Sequence, residues 1–228
     1  MRLTATLLAA CLALPLSALA AESCDALADD LAVMKETGQA LRKRIDYLDP
    51  ESPVQRKLMQ HIELVDRSNT KRLKALMARC GWPSAATHGA PAVKDAWLVV
   101  QHAERDLLFQ KQVLDLVEQA AAAGGDGLDK SFAYLYDRIA VMEKRPQHYG
   151  TQLSAPTGYY CALEFDRMDD RAQVEARRAR LGMAPLDAYR RAVLEMQHCP
   201  VPPQHPADYH YAPPASKDVA ARAEITRK

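Results

Sequence analysis

The stretch AWLVVQHAERDLLFQ, residues 96–110, decides how the chain is read. From Val93 to about Ala122 its pattern extends as one long helix. Glu104, Leu108, Lys111, Asp115, Glu118 and Gln119 cluster in one sector at 100° per residue, and Leu98, Val99, Phe109, Val113 and Val117 lie opposite. His102 and Asp106 fall in the middle of the apolar sector. At i,i+4 their side chains become neighbours on one face. A buried histidine and carboxylate need partners, so this stretch points to a polar constellation inside a helical core.

Working outward, residues 25–48 place Leu27, Leu31, Met34, Leu41, Ile45 and Leu48 on one helical stripe that Asp49-Pro50 ends. Ser52-Pro53 opens a second helix over 54–80, with Leu58, Ile62, Val65, Leu73, Leu76 and Cys80 on its seam and Asn69 among them. Gly81 stops it, and Trp82-Pro83 follow. Two helices of similar length joined by a short turn fold as an antiparallel hairpin, which brings Cys24 beside Cys80. Residues 84–92 read as a loop, and Gly124-Gly125-Asp126-Gly127 as a break.

A further helix over 128–144 carries Leu128, Phe132, Leu135, Ile139 and Met142 on its core side. Tyr134, Arg138 and Arg145 form a polar stripe beside Asp137. After Pro146, residues 151–153 and 159–165 alternate as the strands of a small β-hairpin. Residues 170–181 and 186–197 are two last helices, and Cys161–Cys199 is the disulfide left over. From Pro200 the chain is rich in Pro, Ala and charge without periodicity, the pattern of a mobile tail.

Location is read from the first residues. Arg2, the apolar run Leu3 to Leu19 and Ala18-Leu19-Ala20 make a signal peptide cleaved before Ala21. Cleavage removes one basic residue and no acidic one, leaving 29 of each. That balance excludes a broad electrostatic claim on nucleic acid. Four remaining cysteines in an exported chain read as two disulfides. The expectation is a secreted or periplasmic, mainly α protein with no transmembrane segment after cleavage. Its parts are a signal peptide (1–20), a helical hairpin (21–83), a helical core domain with a small β-hairpin (84–199) and a Pro-rich tail (200–228).

The chemistry is less determined. A carboxylate one turn from an imidazole can fix its tautomer, so His102 as base and Asp106 as its orienting group are the candidate catalytic pair, for acid–base or hydrolytic work. Arg138 and Arg145 suit carboxylate or phosphate. Gln101, Gln110, Tyr134, Asp137, Gln147, Tyr149 and Gln152 complete a candidate ligand-binding set, beside Gly150 where backbone can approach a ligand. No HExxH or histidine cluster occurs, so no metal is expected. GxSxG, phosphate-loop and dinucleotide fingerprints are absent too, and no cofactor can be named.

Gly81-Trp82-Pro83, AWLVVQHAERDLLFQ, AYLYDR and RPQHYGTQ resemble a bacterial family of unknown function with the pattern GWP, W-x-x-VQHA-x-x-D-x-x-FQ, AYL-x-DR and PQ-x-YGTQ. Val174 to Arg178, Gly182-Met183, Pro185-Leu186 and Tyr189 are similar to its closing segment, with Glu175 for Asp and Met183 for Leu. The resemblance covers roughly residues 58–190 and implies no activity, substrate or cofactor. It marks Gln101, His102, Asp106, Phe109, Gln110, Tyr134, Asp137, Arg138, Gln147, Tyr149, Gly150 and Gln152 as family positions. Two functions follow as expectations: a cleft for a small polar or anionic ligand or peptide, or a non-catalytic envelope interaction protein whose motif is architectural.

Overall fold

The computed structural model describes residues 24–124, 128–156 and 159–201. The expected signal peptide and nearly all of the expected tail lie outside the described residues. Among those described, seven helices and one two-stranded sheet form a mainly α fold.

α1 (Leu27–Arg42) buries Leu27, Leu31, Met34 and Gly38, spaced four, three and four, and packs on both α2 and α3. α2 (Pro53–Cys80) starts where the Ser52 side chain accepts the Gln55 N–H and ends at Gly81 with φ 77°. The two run antiparallel. Asn69 Nδ2 donates to the Met34 carbonyl at 3.0 Å, and a Cys24–Cys80 disulfide closes the end. α1 is shorter than the apolar stripe predicts, because the chain turns away after Arg42. Gln55 holds that turn, accepting from the Asp46 N–H and donating to the Arg44 carbonyl. Leu48 is left exposed.

The unequal lengths matter. At about 1.5 Å per residue, α2 with 28 residues outruns α1 with 16 by about 18 Å. Arg42 meets Asp66 at 2.7 Å, so the overhang is the first half of α2.

α3 (Ala85–Gln101) begins inside the expected loop, capped by Ser84, and kinks at Gly89 before Pro91. The expected helix from Val93 to Ala122 is broken: α3 ends at Gln101, residues 102–106 turn, and α4 (Leu107–Ala122) restarts. Two side chains hold this elbow. Asp106 is the N-cap of α4, accepting from the Phe109 N–H at 3.1 Å. Gln110 reaches back and donates to the Val100 carbonyl at the end of α3. α5 (Lys130–Met142) starts on Asp129 and packs on α3 and α4. Leu31, Leu73, Val100, Val113, Leu135 and Ile139 meet in the main core.

β1 (Leu153–Ser154) and β2 (Glu164–Phe165) pair antiparallel, Leu153 opposite Phe165. α6 (Arg171–Arg180) and α7 (Leu186–Met196) follow. A second disulfide, Cys161–Cys199, ties the strands' connection to the end of α7 beside Leu163 and Leu194. Two disulfides fit an oxidising, extracytoplasmic compartment. No helix of the described residues is long and apolar enough to cross a membrane.

Candidate functional site

The structure separates most of the candidate residues into three sets. Asp137, Gln147, Tyr149 and Gln152 gather around the loop His148–Thr151. His102 and Asp106 face a cleft against α2. Gln101 and Arg138 connect α5 to the elbow, and Gln110 ties α4 back to the end of α3.

The loop is clamped from both sides. Asp137, fully buried on α5, accepts from the backbone N–H groups of His148 (2.8 Å), Tyr149 (3.1 Å) and Thr151 (3.0 Å), and from Thr151 Oγ1 (3.0 Å). Gln147 is equally buried. Its Oε1 accepts from the N–H groups of Thr151 and Gln152, and its Nε2 donates to the carbonyls of Gln152 and Asp166. The carbonyls have partners as well. Arg177 donates to His148 O, Arg178 to Tyr149 O and Gly150 O, and the Tyr189 hydroxyl to Thr151 O. Arg178 is 1% exposed and lies 4.9 Å over the Tyr189 ring.

Burial drives the titration of this cluster. It pushes the Asp137 carboxyl above its ordinary value against the pull of its donors, and pulls the Arg178 guanidinium down. It also pushes the Tyr189 hydroxyl well up, which keeps it a donor. A loop whose backbone is paired, among the described residues, at every carbonyl and at every N–H but that of Gly150 offers little to a ligand. Gly150 belongs to the same arrangement. At φ 60° a Cβ would sit 2.5 Å from Leu186 Cδ2 and 3.3 Å from Met168 Sδ. Gly150→Ala is expected to cost about 3 kcal/mol, from left-handed backbone and overpacking together. Urea unfolding checks this, and a variant within about 1 kcal/mol of wild type contradicts so tight a seat.

The His102–Asp106 pair read from i,i+4 spacing does not form, since the helix breaks between them. Asp106 instead caps α4 and meets Lys74 Nζ at 2.8 Å, and the Lys74 hydrogen bond leads in holding its carboxyl below the ordinary value. His102 ends α3 and its ring makes no hydrogen bond within the described residues. Burial first, then the charges of Arg42 and Arg138, lower its pKa to about 3. The geometry in which Asp106 would orient the His102 ring is absent, because its carboxylate is engaged by Lys74 and the Phe109 N–H.

The neutral imidazole has a measurable consequence. Unfolded, it takes a proton near pH 6.5; folded, only near 3. Between those values the unfolded chain holds the extra proton. The contribution is therefore complete above about pH 6.5 and is lost as the pH falls toward 3. His102→Gln should flatten stability against pH in that window, by no more than a few kcal/mol, as read from urea midpoints at pH 4 and pH 7. Identical pH dependence in both proteins contradicts the burial of a neutral ring.

His102 and Asp106 lie on the wall of a cleft of about 940 Å³. Its other walls are the overhanging half of α2 and the turn after α1, with Ile45, Pro50, Met59 and Ile62 as apolar lining. Sequence reasoning missed the α2 side, although the signal was present. Arg56, Gln60, Glu63, Arg67, Lys71 and Lys74 form a polar stripe spaced four, three, four, four and three.

The remaining candidates are placed elsewhere. Arg138 Nε donates to Gln101 Oε1 at 3.2 Å and its Nη1 pairs with Glu104, while Gln101 Nε2 donates to the Ser131 carbonyl. Gln110 is fully buried, with Oε1 unpartnered among the described residues. Tyr134 packs edge-on to Tyr189. Arg145 is exposed and bound to Glu143, 5.8 Å over Tyr136. Gln152 Nε2 donates to Thr151 Oγ1. Tyr149 packs among Phe132, Tyr136 and His148. No three His, Cys, Asp or Glu side chains of the described residues are grouped to hold a metal.

Comparison with curated proteins and with solved structures finds no match. A family model does match, over residues 25–199, from the start of the helical hairpin to the second disulfide. The chain therefore belongs to the family of unknown function DUF6624.

Proposed function

We propose that this is an extracytoplasmic binding protein whose ligand, small and polar or peptidic, occupies the cleft between α2 and the α3–α4 elbow. The observation that carries this reading is the cleft itself. It is concave, about 940 Å³ in volume, part apolar and part charged, with a neutral, unbonded imidazole on its wall. A neutral ring there can donate from one nitrogen and accept at the other.

The Asp137–Gln147–Arg178 network supports a structural role for the loop 147–152. By this reading the loop braces α5, α6 and α7 and takes no part in binding. The dense pairing of that loop also supports the second reading, a non-catalytic interaction protein with an architectural motif. The two differ in what the cleft does.

A thermal-shift screen against amino acids, short peptides, sugars and nucleotides, repeated on Met59→Trp, separates them. Met59 is half exposed on the cleft wall, so tryptophan fills the space without disturbing the core. Hits that raise the wild-type Tm and vanish in Met59→Trp are expected. Hits that persist unchanged place the ligand elsewhere and overturn the cleft reading.

A further inference from the structure

Six cationic side chains line the cleft: Arg42, Arg56, Arg67, Lys71, Lys74 and Arg105. Four of them meet carboxylates, Arg42 at Asp66, Lys74 at Asp106, and both Arg67 and Arg105 at Glu63. Two further acids belong to the lining, Glu51 and Glu104, and Glu104 is taken by Arg138 from outside it. Lys71 has no polar partner among the described residues. Arg56 spends one N–H on the Glu51 backbone carbonyl and meets no carboxylate. The Glu51 carboxylate meets the Tyr160 hydroxyl at 3.5 Å and no cation among the described residues.

These two cations without carboxylates lie on one face of one helix, fifteen residues apart. At about 1.5 Å per residue they are about 22 Å apart. A compact metabolite reaches one of them. A chain extended at about 3.3 Å per residue spans both with about seven residues. Between them the α2 lining is mixed: Met59 is exposed, Ile62 is buried, and Glu63 and Asp66 are paired with arginines, while Ile45 and Pro50 supply further apolar lining.

Resting on the cleft reading above, we infer that its ligand is an extended peptide segment with acidic residues about seven positions apart and apolar residues between them. Its carboxylates meet Lys71 and Arg56, and its apolar side chains cover Met59, Ile45 and Pro50. The acids Glu51, Glu63, Asp66, Glu104 and Asp106 disfavour a densely charged polyanion, which would meet repulsion along the whole length.

The test is affinity selection on the immobilised full chain. One pool holds acetylated nonapeptides with glutamate near both ends and mixed apolar residues between; a matched pool carries lysine instead. The acidic pool should be retained at least tenfold over the lysine pool. Lys71→Glu and Arg56→Glu should each reduce retention tenfold or more. Both residues are exposed, so the charge reversals leave the fold intact, which an unchanged far-UV spectrum and Tm verify. Equal retention of the two pools, or indifference to both reversals, overturns the peptide assignment. If small molecules from the thermal screen are lost in Met59→Trp while neither pool is retained, the cleft is a site and only the ligand class is wrong. A dimer that Met59→Trp dissociates puts a second copy in the cleft and also overturns the assignment.

Discussion

Asp137→Ala is expected to remove about 5 kcal/mol of stability, from the cost of orphaning several buried donors at once. The alanine leaves the N–H groups of His148 and Tyr149 without their acceptor, and Thr151 loses its hydroxyl partner and half of a shared N–H bond. Only Thr151 N–H keeps a second acceptor, Gln147 Oε1. Asparagine does not restore the site, since its amide would aim donors at donors. For a domain of this size the loss is about 10–20 °C in Tm. Thermal unfolding of both variants checks this, and a drop below about 3 °C contradicts the clamp.

Arg178→Met is the companion, expected to cost about 4 kcal/mol although methionine nearly matches the aliphatic part of the arginine. Three carbonyls, Tyr149 O, Gly150 O and Ala184 O, lose their donor. Arg178→Lys should rescue little, because one ammonium cannot reproduce a planar fork reaching all three. Asp137 and Arg178 hold opposite sides of the Gly150–Thr151 peptide group and brace the same loop, so the double variant should cost well under the sum of the singles. Additive losses would mean that the two act independently.

Much of the helical architecture was legible because its signals are local. Leu27, Leu31 and Met34 recur at helical spacing, Ser52-Pro53 and Gly81 punctuate, and the hairpin they imply juxtaposes Cys24 and Cys80. The elbow at residues 102–106 was not legible. HAERD contains neither Gly nor Pro, and the apolar phase on either side carries across the turn. The sole local sign was Asp106 before Leu107, an N-cap hidden inside a periodic run. The strands are shorter than their alternation suggests, because the backbone of Thr151 and Gln152 spends its N–H groups on Asp137 and Gln147 instead of a ladder.

The candidate site was legible by residue and not by role. Polar side chains without a packing reason marked Asp137 and Gln147, but whether they serve a ligand or a loop depends on partners far along the chain. Arg178, 41 positions beyond Asp137, is one such partner. The cleft was hidden for a different reason. It exists because α1 stops at Arg42, and that stop is set by Gln55 from the following helix, where an apolar stripe alone carries the helix on to Leu48.

Residue-resolved amide hydrogen exchange, read by NMR with and without the acidic nonapeptide pool, tests the central division most directly. The amides of His148, Tyr149 and Thr151 should exchange only with global unfolding and be untouched by the pool, while resonances of Met59, Lys71 and His102 shift on its addition. Local exchange of the loop amides, together with perturbation of that loop and not of the cleft, would contradict the account.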